Sequence, residues 1–308
     1  TLSPLRVTTH LAAAFSGYDH FQHIKYMPTT TGPTICVALI FFVIYNLINL
    51  PDENLNNVDY IESINDYFYI SPILFIVPLI VIFMIYKKIN PIVSLFVGTI
   101  LAAVLSLIFQ SELISNIILQ SQSSDVTSYN IVMDSIIAKT TIQTNSVFLD
   151  ELLTSGGMSG MLNTIWLVIC AMIFGGVMEA IGALRSISLA LLSIAKSTIN
   201  LFASTILSCI TVNITASDQY LSIVIPGKMF SDSYNDRKLS SLNLSRTIED
   251  SGTVTSVLIP WNTCGAYQAS VLNVSVFDYF VYAIFNWLSP ITTLIVASLN
   301  YKIKRIAN

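Results

Sequence analysis

Apolar stretches about as long as a membrane is thick dominate this sequence, and they constrain its fold more than any other feature. The hydrocarbon core of a bilayer is about 30 Å thick, and an α-helix needs about 20 residues to cross it. Stretches of this kind predict an all-α polytopic membrane protein, because every backbone polar group must be satisfied within the lipid. The predicted spans are Gly32–Leu50, Ser71–Tyr86, Pro91–Phe109, Leu162–Ile181, Leu201–Pro226, Thr253–Leu272 and Val276–Leu299.

The composition agrees with a membrane protein and argues against several other classes. Charged residues make up 10% of the 308 residues, whereas soluble domains have about 25%. The net charge of −4 is small and no basic run is present, so nucleic acid is not an expected partner. The cysteines lack metal-ligand spacing, and no hydrolase or nucleotide-binding motif occurs. We therefore expect no enzyme activity, no cofactor and no metal centre.

Charges between the predicted spans orient the chain, because basic loops stay on the cytoplasmic side. Residues 51–70 are acidic without Lys or Arg, and residues 110–161 have Lys139 as their only basic residue. Both segments are therefore predicted to lie outside, with 110–161 as an extracytoplasmic connection within a single transporter domain 1–308. The basic residues placed inside are Lys87, Lys88, Arg185, Lys196, Lys228, Arg237, Lys238, Arg246, Lys302, Lys304 and Arg305.

This orientation has a consequence for the stretch between Lys196 and Lys228, which must leave the cytoplasmic side and return to it. About 30 residues are too few to cross the bilayer twice as full helices. We therefore predict that Leu201–Pro226 forms a re-entrant hairpin with its turn near Asn213–Asp218. The alternative is that Ser186–Lys196 itself crosses the membrane.

The polar stretch Asn243–Thr263 would not form a smooth membrane helix, although it lies in an apolar chain. Gly252 interrupts it, and Pro260 removes a backbone donor and frees a carbonyl one turn earlier. Irregular backbone at membrane depth is tolerated only where it is buried in protein or lines a watery cavity. Broken helices of this kind bind cations in many secondary transporters. We predict helix breaks at Gly252 and Pro260, with a transport site beside them.

Asp218 is the first candidate for the ion-binding group. A carboxylate at membrane depth needs a partner, a cavity or a proton. Asn213, Thr215 and Ser217 precede it and offer the oxygen ligands that hard cations prefer. The alternative is that Asp218 caps a helix.

A second set of candidates lies on the irregular stretch itself. Glu249 and Asp250 are its acidic residues, and either one could bind the ion. The alternative is that Asp250, Ser251 and Gly252 cap the helix that follows. The further oxygen donors predicted for this site are Ser251, Thr253, Asn262 and Thr263.

Several motifs of the chain, taken together, resemble those of NhaC-type Na+/H+ antiporters, within the larger ion transporter superfamily. They occur in matching order at Ser3–Ala12, Leu152–Met161, Ser217–Phe230 and Leu244–Tyr267. The resemblance implies two inverted repeats with re-entrant or broken helices, and cation/proton antiport, with some members exchanging malate and lactate. Family chains are longer before the equivalent of Thr1, so we expect this chain to be the C-terminal portion of a longer protein.

One departure from the family pattern lies in the opening motif. Val7 stands where the pattern has an acidic residue, and Arg6 beside it adds a positive charge. If that acid helps to bind cations, this protein differs in ion, stoichiometry or activity. Asp218, Asp250 and Asn262 match the family pattern, as does Glu249.

The sequence therefore predicts exchange of Na+ or Li+ for H+ by alternating access, with Asp218 as the first choice of carboxylate and Asp250 as the second. An organic-anion exchanger, with Arg246 facing the anion, is the first alternative, and a degenerate non-transporting relative is the other. The expected surroundings are the lipid bilayer of a bacterial plasma membrane, crossed several times. The expected partners are Na+, H+ and a second copy of the chain.

Overall fold

The computed structural model describes residues 12, 20–49, 64–65, 67–87, 89–120, 126–142 and 147–306. The opening motif, with Arg6 and Val7, lies outside these residues except for Ala12. The described part is helical and contains no strand, as the sequence predicted. The helices, numbered in chain order, are α1 His20–Tyr26, α2 Pro28–Ile48, α3 Ile76–Tyr86, α4 Pro91–Phe109, α5 Ser111–Gln120, α6 Ser128–Ile137, α7 Val147–Leu153, α8 Gly157–Gly160, α9 Leu162–Ala180, α10 Ala183–Ser193, α11 Thr198–Ala216, α12 Gln219–Asp236, α13 Ser241–Ile248, α14 Thr263–Leu272, α15 Val276–Phe280 and α16 Ile284–Ser298.

Apolar helices of membrane-crossing length confirm an integral membrane protein. They are Pro28–Ile48, Ile92–Phe109, Gly157–Ala180 and Thr198–Ala216. The first three expose most of their apolar side chains, as expected for helices that face lipid. The last predicted span, Val276–Leu299, is divided between α15 and α16.

The chain divides into two compact units, of which one is formed by residues 51–162. In it, α3 and α4 pack against each other, and the Asn90 side chain caps α4 by accepting from the Ile92 amide at 2.9 Å. The short helices α5 to α8 follow. Gly157 has a positive φ of 56° and lies against the Ala138 carbonyl, where any side chain would overlap. That this region is an extracytoplasmic connection stays a prediction.

The other unit, formed by residues 1–50 and 163–308, is built around a helical hairpin. Its limbs α11 and α12 are 19 and 18 residues long and pack along each other. Ser217 has a left-handed backbone with φ 57°, and Asp218 begins α12, so the predicted position of the turn is confirmed. The predicted end of the hairpin at Pro226 is wrong, because α12 continues through Lys228 to Asp236. The alternative, in which Ser186–Lys196 crosses the membrane, stays a prediction; α10 in that region has 11 residues and spans about 16 Å.

The irregular stretch that follows the hairpin is interrupted twice. α13 passes into a π-helical turn at Glu249–Thr253, which contains the break predicted at Gly252. A 3-10 turn at Ser256–Leu258 and an extended Ile259 then lead to α14, and this break beside Pro260 was predicted. The π-turn is fully enclosed by protein, as irregular backbone at membrane depth must be.

The apolar helices α2 and α16 pack beside the irregular stretch in antiparallel directions. Tyr45, near the end of α2, contacts Tyr282 just before α16, with ring centroids 5.8 Å apart. At the other end, Tyr26 donates a hydrogen bond to the Lys302 carbonyl at 2.8 Å. The start of α2 and the end of α16 therefore lie at the same end of the helix pair.

A glycine of α9 lies where that helix packs closely against the hairpin, and substituting it tests this packing. Gly175 is buried, and a Cβ there would overlap the carbonyl oxygen of Ala216 at the end of α11. We expect Gly175→Ala to destabilise the protein by about 1–3 kcal/mol, as overpacking does. Gly176→Ala is the matched control, because a Cβ at Gly176 meets nothing within 4 Å. Melting temperatures in detergent measure both, and equal values for the two variants would contradict this packing.

Candidate functional site

Asp250 lies at the centre of the buried polar groups, on the π-turn between α13 and the 3-10 turn. It is 0% exposed. Its Oδ2 accepts hydrogen bonds from the Thr30 hydroxyl of α2 at 2.6 Å and from the Thr293 hydroxyl of α16 at 2.7 Å. Its Oδ1 finds no hydrogen-bond partner among the described residues. Three separate segments therefore converge on one carboxylate and leave one of its oxygens open.

An open carboxylate oxygen away from water is energetically costly. Two hydroxyl donors to a charged acceptor stabilise it by about 1.5–3 kcal/mol each, whereas desolvating a carboxylate costs several kcal/mol even after the protein relaxes. A proton or a cation on Oδ1 would remove most of that cost. The geometry therefore suits a carboxylate that alternates between ligands of charge +1 better than one that serves only in packing.

Arg246 lies one helical turn before Asp250 and is also 0% exposed. Its guanidinium carbon is 4.5 Å from the ring centroid of Tyr26, a cation–π distance. None of its guanidinium nitrogens has a hydrogen-bond acceptor in the described part of the chain. Its charge acts on Asp250 through space, without a hydrogen bond between the two side chains.

The remaining predicted residues of the π-turn are buried beside Asp250. Glu249 is 0% exposed and Thr253 is 2% exposed. The Thr253 hydroxyl has no hydrogen-bond partner among the residues described, which leaves a second free oxygen on the same turn. The Ser251 hydroxyl donates to the Thr247 carbonyl within the helix. The alternative in which Asp250 caps a helix is wrong, since its carboxylate bonds to hydroxyls of distant helices.

The amide side chains predicted as ion ligands form hydrogen bonds with the protein, and their binding of an ion stays a prediction. Asn213 donates to the Gly252 carbonyl at 2.7 Å and to the Thr255 hydroxyl at 3.2 Å. Asn262 donates to the Asn213 side-chain oxygen at 3.2 Å, and its own oxygen accepts from the Cys264 amide at 3.1 Å. Their oxygens are already bonded, so these amides join the hairpin to the irregular stretch.

Gln219 and Gly252 tighten the same connection. The Gln219 amide donates to the Thr253 carbonyl at 3.0 Å. A Cβ on Gly252 would come within 3.0 Å of the Ser222 hydroxyl, so glycine lets the π-turn pack against α12. Two carbonyls shortly before Pro260 also have protein donors, since Val257 accepts from the Tyr279 hydroxyl at 2.5 Å and Ile259 accepts from the Asn262 backbone amide at 3.0 Å. The carbonyls named here are therefore bonded to protein rather than open to a cation.

Asp218 occupies a different environment from Asp250. Its Oδ1 accepts from the backbone amides of Tyr220 at 2.6 Å and Leu221 at 3.0 Å, so it caps α12. It is half-buried. The Ser217 carbonyl accepts from the Thr263 amide at 3.1 Å, and the Thr215 hydroxyl donates within α11. The cap that was weighed as an alternative is present, and ion binding by Asp218 stays a prediction.

Two residues of the Asp250 environment escaped the sequence analysis. Thr30 and Thr293 are 220 and 43 residues from Asp250 in the chain. The available signal was a run of hydroxyls at the start of α2, where Thr30, Thr31 and Thr34 are all buried. Hydroxyl groups on an otherwise apolar, lipid-exposed helix indicate a face turned toward something polar.

Two substitutions of Asp218 test whether it acts as a cap. Asparagine is as good an N-cap as aspartate, whereas alanine loses about 1 kcal/mol. We therefore expect Asp218→Asn to keep the melting temperature and Asp218→Ala to lower it. A large loss of stability in both variants would show that the negative charge matters beyond the cap.

The chain is similar to known proteins over its length. A family model described as the Na+/H+ antiporter family matches residues 1–300. The chain is 31% identical over 294 residues to the Na+/H+ antiporter NhaC of Alkalihalophilus pseudofirmus, covering 96% of this chain and 61% of that protein. It is 29% identical over 297 residues to NhaC of Bacillus subtilis, covering 96% and 62%.

A third relative is named for a different activity. The chain is 30% identical over 290 residues to the malate-2H+/Na+-lactate antiporter of Bacillus subtilis, covering 94% of this chain and 58% of that protein. No solved structure matches the chain. This chain spans about three fifths of the length of the curated relatives that it matches. On the match over residues 1–300, the chain belongs to the Na+/H+ antiporter family.

Proposed function

We propose that this chain provides the ion-binding part of an exchanger of Na+ for H+, with Asp250 as the carboxylate that both ions share. The observation that carries the proposal is the buried Asp250 carboxylate, held by Thr30 and Thr293 through one oxygen and open at the other. Family membership supports the choice of ions. The protein works in this proposal as a multi-pass transporter of a bacterial plasma membrane, with possible self-association.

The mechanism follows from the cost of a bare carboxylate in a low-dielectric site. A bare carboxylate resists movement into the hydrocarbon region, whereas a carboxylate loaded with H+ or Na+ does not. If only loaded forms reorient, each outward-moving ion is replaced by an inward-moving one. Thr30 and Thr293 hold Oδ2, so that Oδ1 is presented to either ligand. The free Thr253 hydroxyl supplies a further oxygen for Na+.

The discontinuity of the helix assists this exchange. A π-turn and a 3-10 turn in succession leave the segment between Glu249 and Leu258 without a regular α-helical ladder. Secondary transporters place their sites at such interruptions, where alternating access opens the site to one side and then the other. The movement in this proposal displaces α2 and α16 relative to the π-turn.

The decisive variant is Asp250→Asn. Asparagine keeps the shape and still accepts from Thr30 and Thr293, but it neither takes up a proton nor attracts a cation. Because this variant lacks a group that both ions can share, we expect Na+-dependent proton flux to fall by roughly 100-fold, which corresponds to a loss of about 3 kcal/mol in ion binding. The measurement is proton flux driven by a Na+ gradient in vesicles that contain the full-length gene product.

Asp218→Asn is the matched control, because it removes the other candidate carboxylate and preserves the cap. Our proposal expects near-normal flux in this variant. The opposite pattern, with flux lost in Asp218→Asn and kept in Asp250→Asn, would restore the sequence-based choice of Asp218. Thermal stability of both variants confirms that each protein is folded.

A second candidate function is exchange of an organic carboxylate, and Arg246 favours it. Its guanidinium is buried, charged and without an acceptor among the described residues. Guanidinium binds carboxylates through paired hydrogen bonds, so an organic acid would satisfy it. The relative named as a malate-2H+/Na+-lactate antiporter makes this chemistry plausible in the family.

One measurement separates the two candidate functions. If the protein exchanges Na+ for H+, we expect proton flux in vesicles without any organic acid and no uptake of labelled malate. If it exchanges an organic acid, we expect proton flux only when malate or lactate is present, and we expect Arg246→Gln to abolish the uptake of labelled malate. Since Arg246→Gln removes a buried charge, Arg246→Lys serves as the control that keeps the charge but not the paired hydrogen bonds.

A further inference from the structure

A basic cavity lies at the end of the helix pair formed by α2 and α16, outside the Asp250 site. Its volume is about 410 Å³. The end of α1 and the start of α2 form one side, and the segment after α16 forms the other. The lining residues are Lys25, Tyr26, Thr29, Lys302, Ile303 and Lys304.

Buried hydrogen bonds fix the two sides of this cavity to the core. The Tyr26 hydroxyl shares its single hydrogen between two acceptors, the Asn243 side-chain oxygen at 2.6 Å and the Lys302 carbonyl oxygen at 2.8 Å. Asn243 is 0% exposed and donates in turn to the Lys304 carbonyl at 2.6 Å. The segment carrying both lysines is therefore held by a buried residue of α13, and the lysines project from a fixed backbone.

The charge of the cavity has no compensation in the described part of the chain. Lys25, Lys302 and Lys304 are exposed, and no acidic residue lines the cavity. None of the three forms an ion pair with a described residue. The Lys304 ammonium is 4.9 Å from the Tyr26 ring centroid, and the Arg246 guanidinium is 4.5 Å from the same centroid. Cations gathered this closely attract an anion from solution or from the membrane.

The position of the cavity indicates which anion it meets. Lys25 lies in the last turn of α1, which leads into the apolar helix α2, and Lys302 follows the end of α16, so both lie where α2 and α16 reach one membrane surface. The excess of basic residues identifies that surface as cytoplasmic, where anionic lipids attract lysines. Leu39 and Val43 of α2 are 60% and 59% exposed, which leaves an apolar face for acyl chains beside the cavity.

We propose that this cavity binds the phosphate of an anionic phospholipid headgroup. The three ammonium groups neutralise the phosphate, the Thr29 hydroxyl donates a hydrogen bond to it, and the acyl chains lie along α2. The site uses no part of the Asp250 carboxylate. Lipid binding in this cavity therefore does not depend on the proposed exchange of Na+ for H+.

The test measures binding of phosphatidylglycerol to the purified full-length gene product in neutral detergent, with phosphatidylcholine as the zwitterionic reference. Each lysine near an anionic lipid contributes about fivefold in affinity, so Lys25→Gln/Lys302→Gln/Lys304→Gln is expected to weaken binding on the order of 100-fold. Lys25→Arg/Lys302→Arg/Lys304→Arg keeps the charge and is expected to stay within about threefold. The matched control is Lys139→Gln/Lys196→Gln/Lys228→Gln, which removes three exposed lysines elsewhere and leaves binding unchanged.

Three results would overturn the proposal. The first is equal binding of phosphatidylglycerol and phosphatidylcholine, and the second is an equal loss in the control triple variant. The third is displacement of the lipid by inorganic phosphate at matched concentration, which would assign the cavity to a free anion instead. If the triple glutamine variant fails to fold, Lys302→Gln/Lys304→Gln provides the same test with an expected loss of about 30-fold.

Discussion

The burial of a single carboxylate, Asp250, is the constraint on which the arrangement of this protein depends. A carboxylate away from water must be hydrogen-bonded, paired or neutralised. Here α2 and α16 each contribute one hydroxyl, and α13 contributes a buried guanidinium one turn away. The helix that carries Asp250 departs from α-geometry at that residue. π-turns are uncommon and are found frequently at functional sites.

The hydrogen bonds of the polar core form two groups. One group joins the π-turn to the hairpin, and the other joins Asp250 to α2 and α16. Asn213 and Gln219 donate hydrogen bonds to the carbonyls of Gly252 and Thr253, which lie on the irregular backbone. These bonds fasten the π-turn to the hairpin. The contacts from Thr30 and Thr293 to Asp250 are single hydroxyl bonds from apolar helices. A displacement of those helices would change the Asp250 environment and leave the hairpin connection intact.

Much of this fold can be predicted from the local sequence, whereas the arrangement of the candidate site around Asp250 cannot. The apolar spans, the turn at Ser217 and the break beside Pro260 each rest on neighbouring residues, so pattern and turn chemistry predict them. The roles of Asp218 and Asp250 cannot be separated in that way, because each is an aspartate beside small polar residues. What distinguishes them is tertiary: Asp218 meets the amides of its own helix, whereas Asp250 meets Thr30, 220 residues away. The sequence analysis therefore preferred Asp218, whose hydrogen bonds are to backbone amides of the helix that it begins.

In the proposed exchange, the buried guanidinium of Arg246 limits how tightly Asp250 can bind either ion. Its positive charge opposes the binding of any cation at Asp250, and H+ and Na+ carry the same charge. It therefore lowers the affinity for both ions by similar amounts and leaves the preference between them to the oxygens around Oδ1. An exchanger benefits from this arrangement, because an ion held too tightly would not leave on the other side. Stacking on Tyr26 stabilises the guanidinium through a cation–π contact that takes up none of its hydrogen-bond donors, so Arg246 keeps both its charge and its donors within the site.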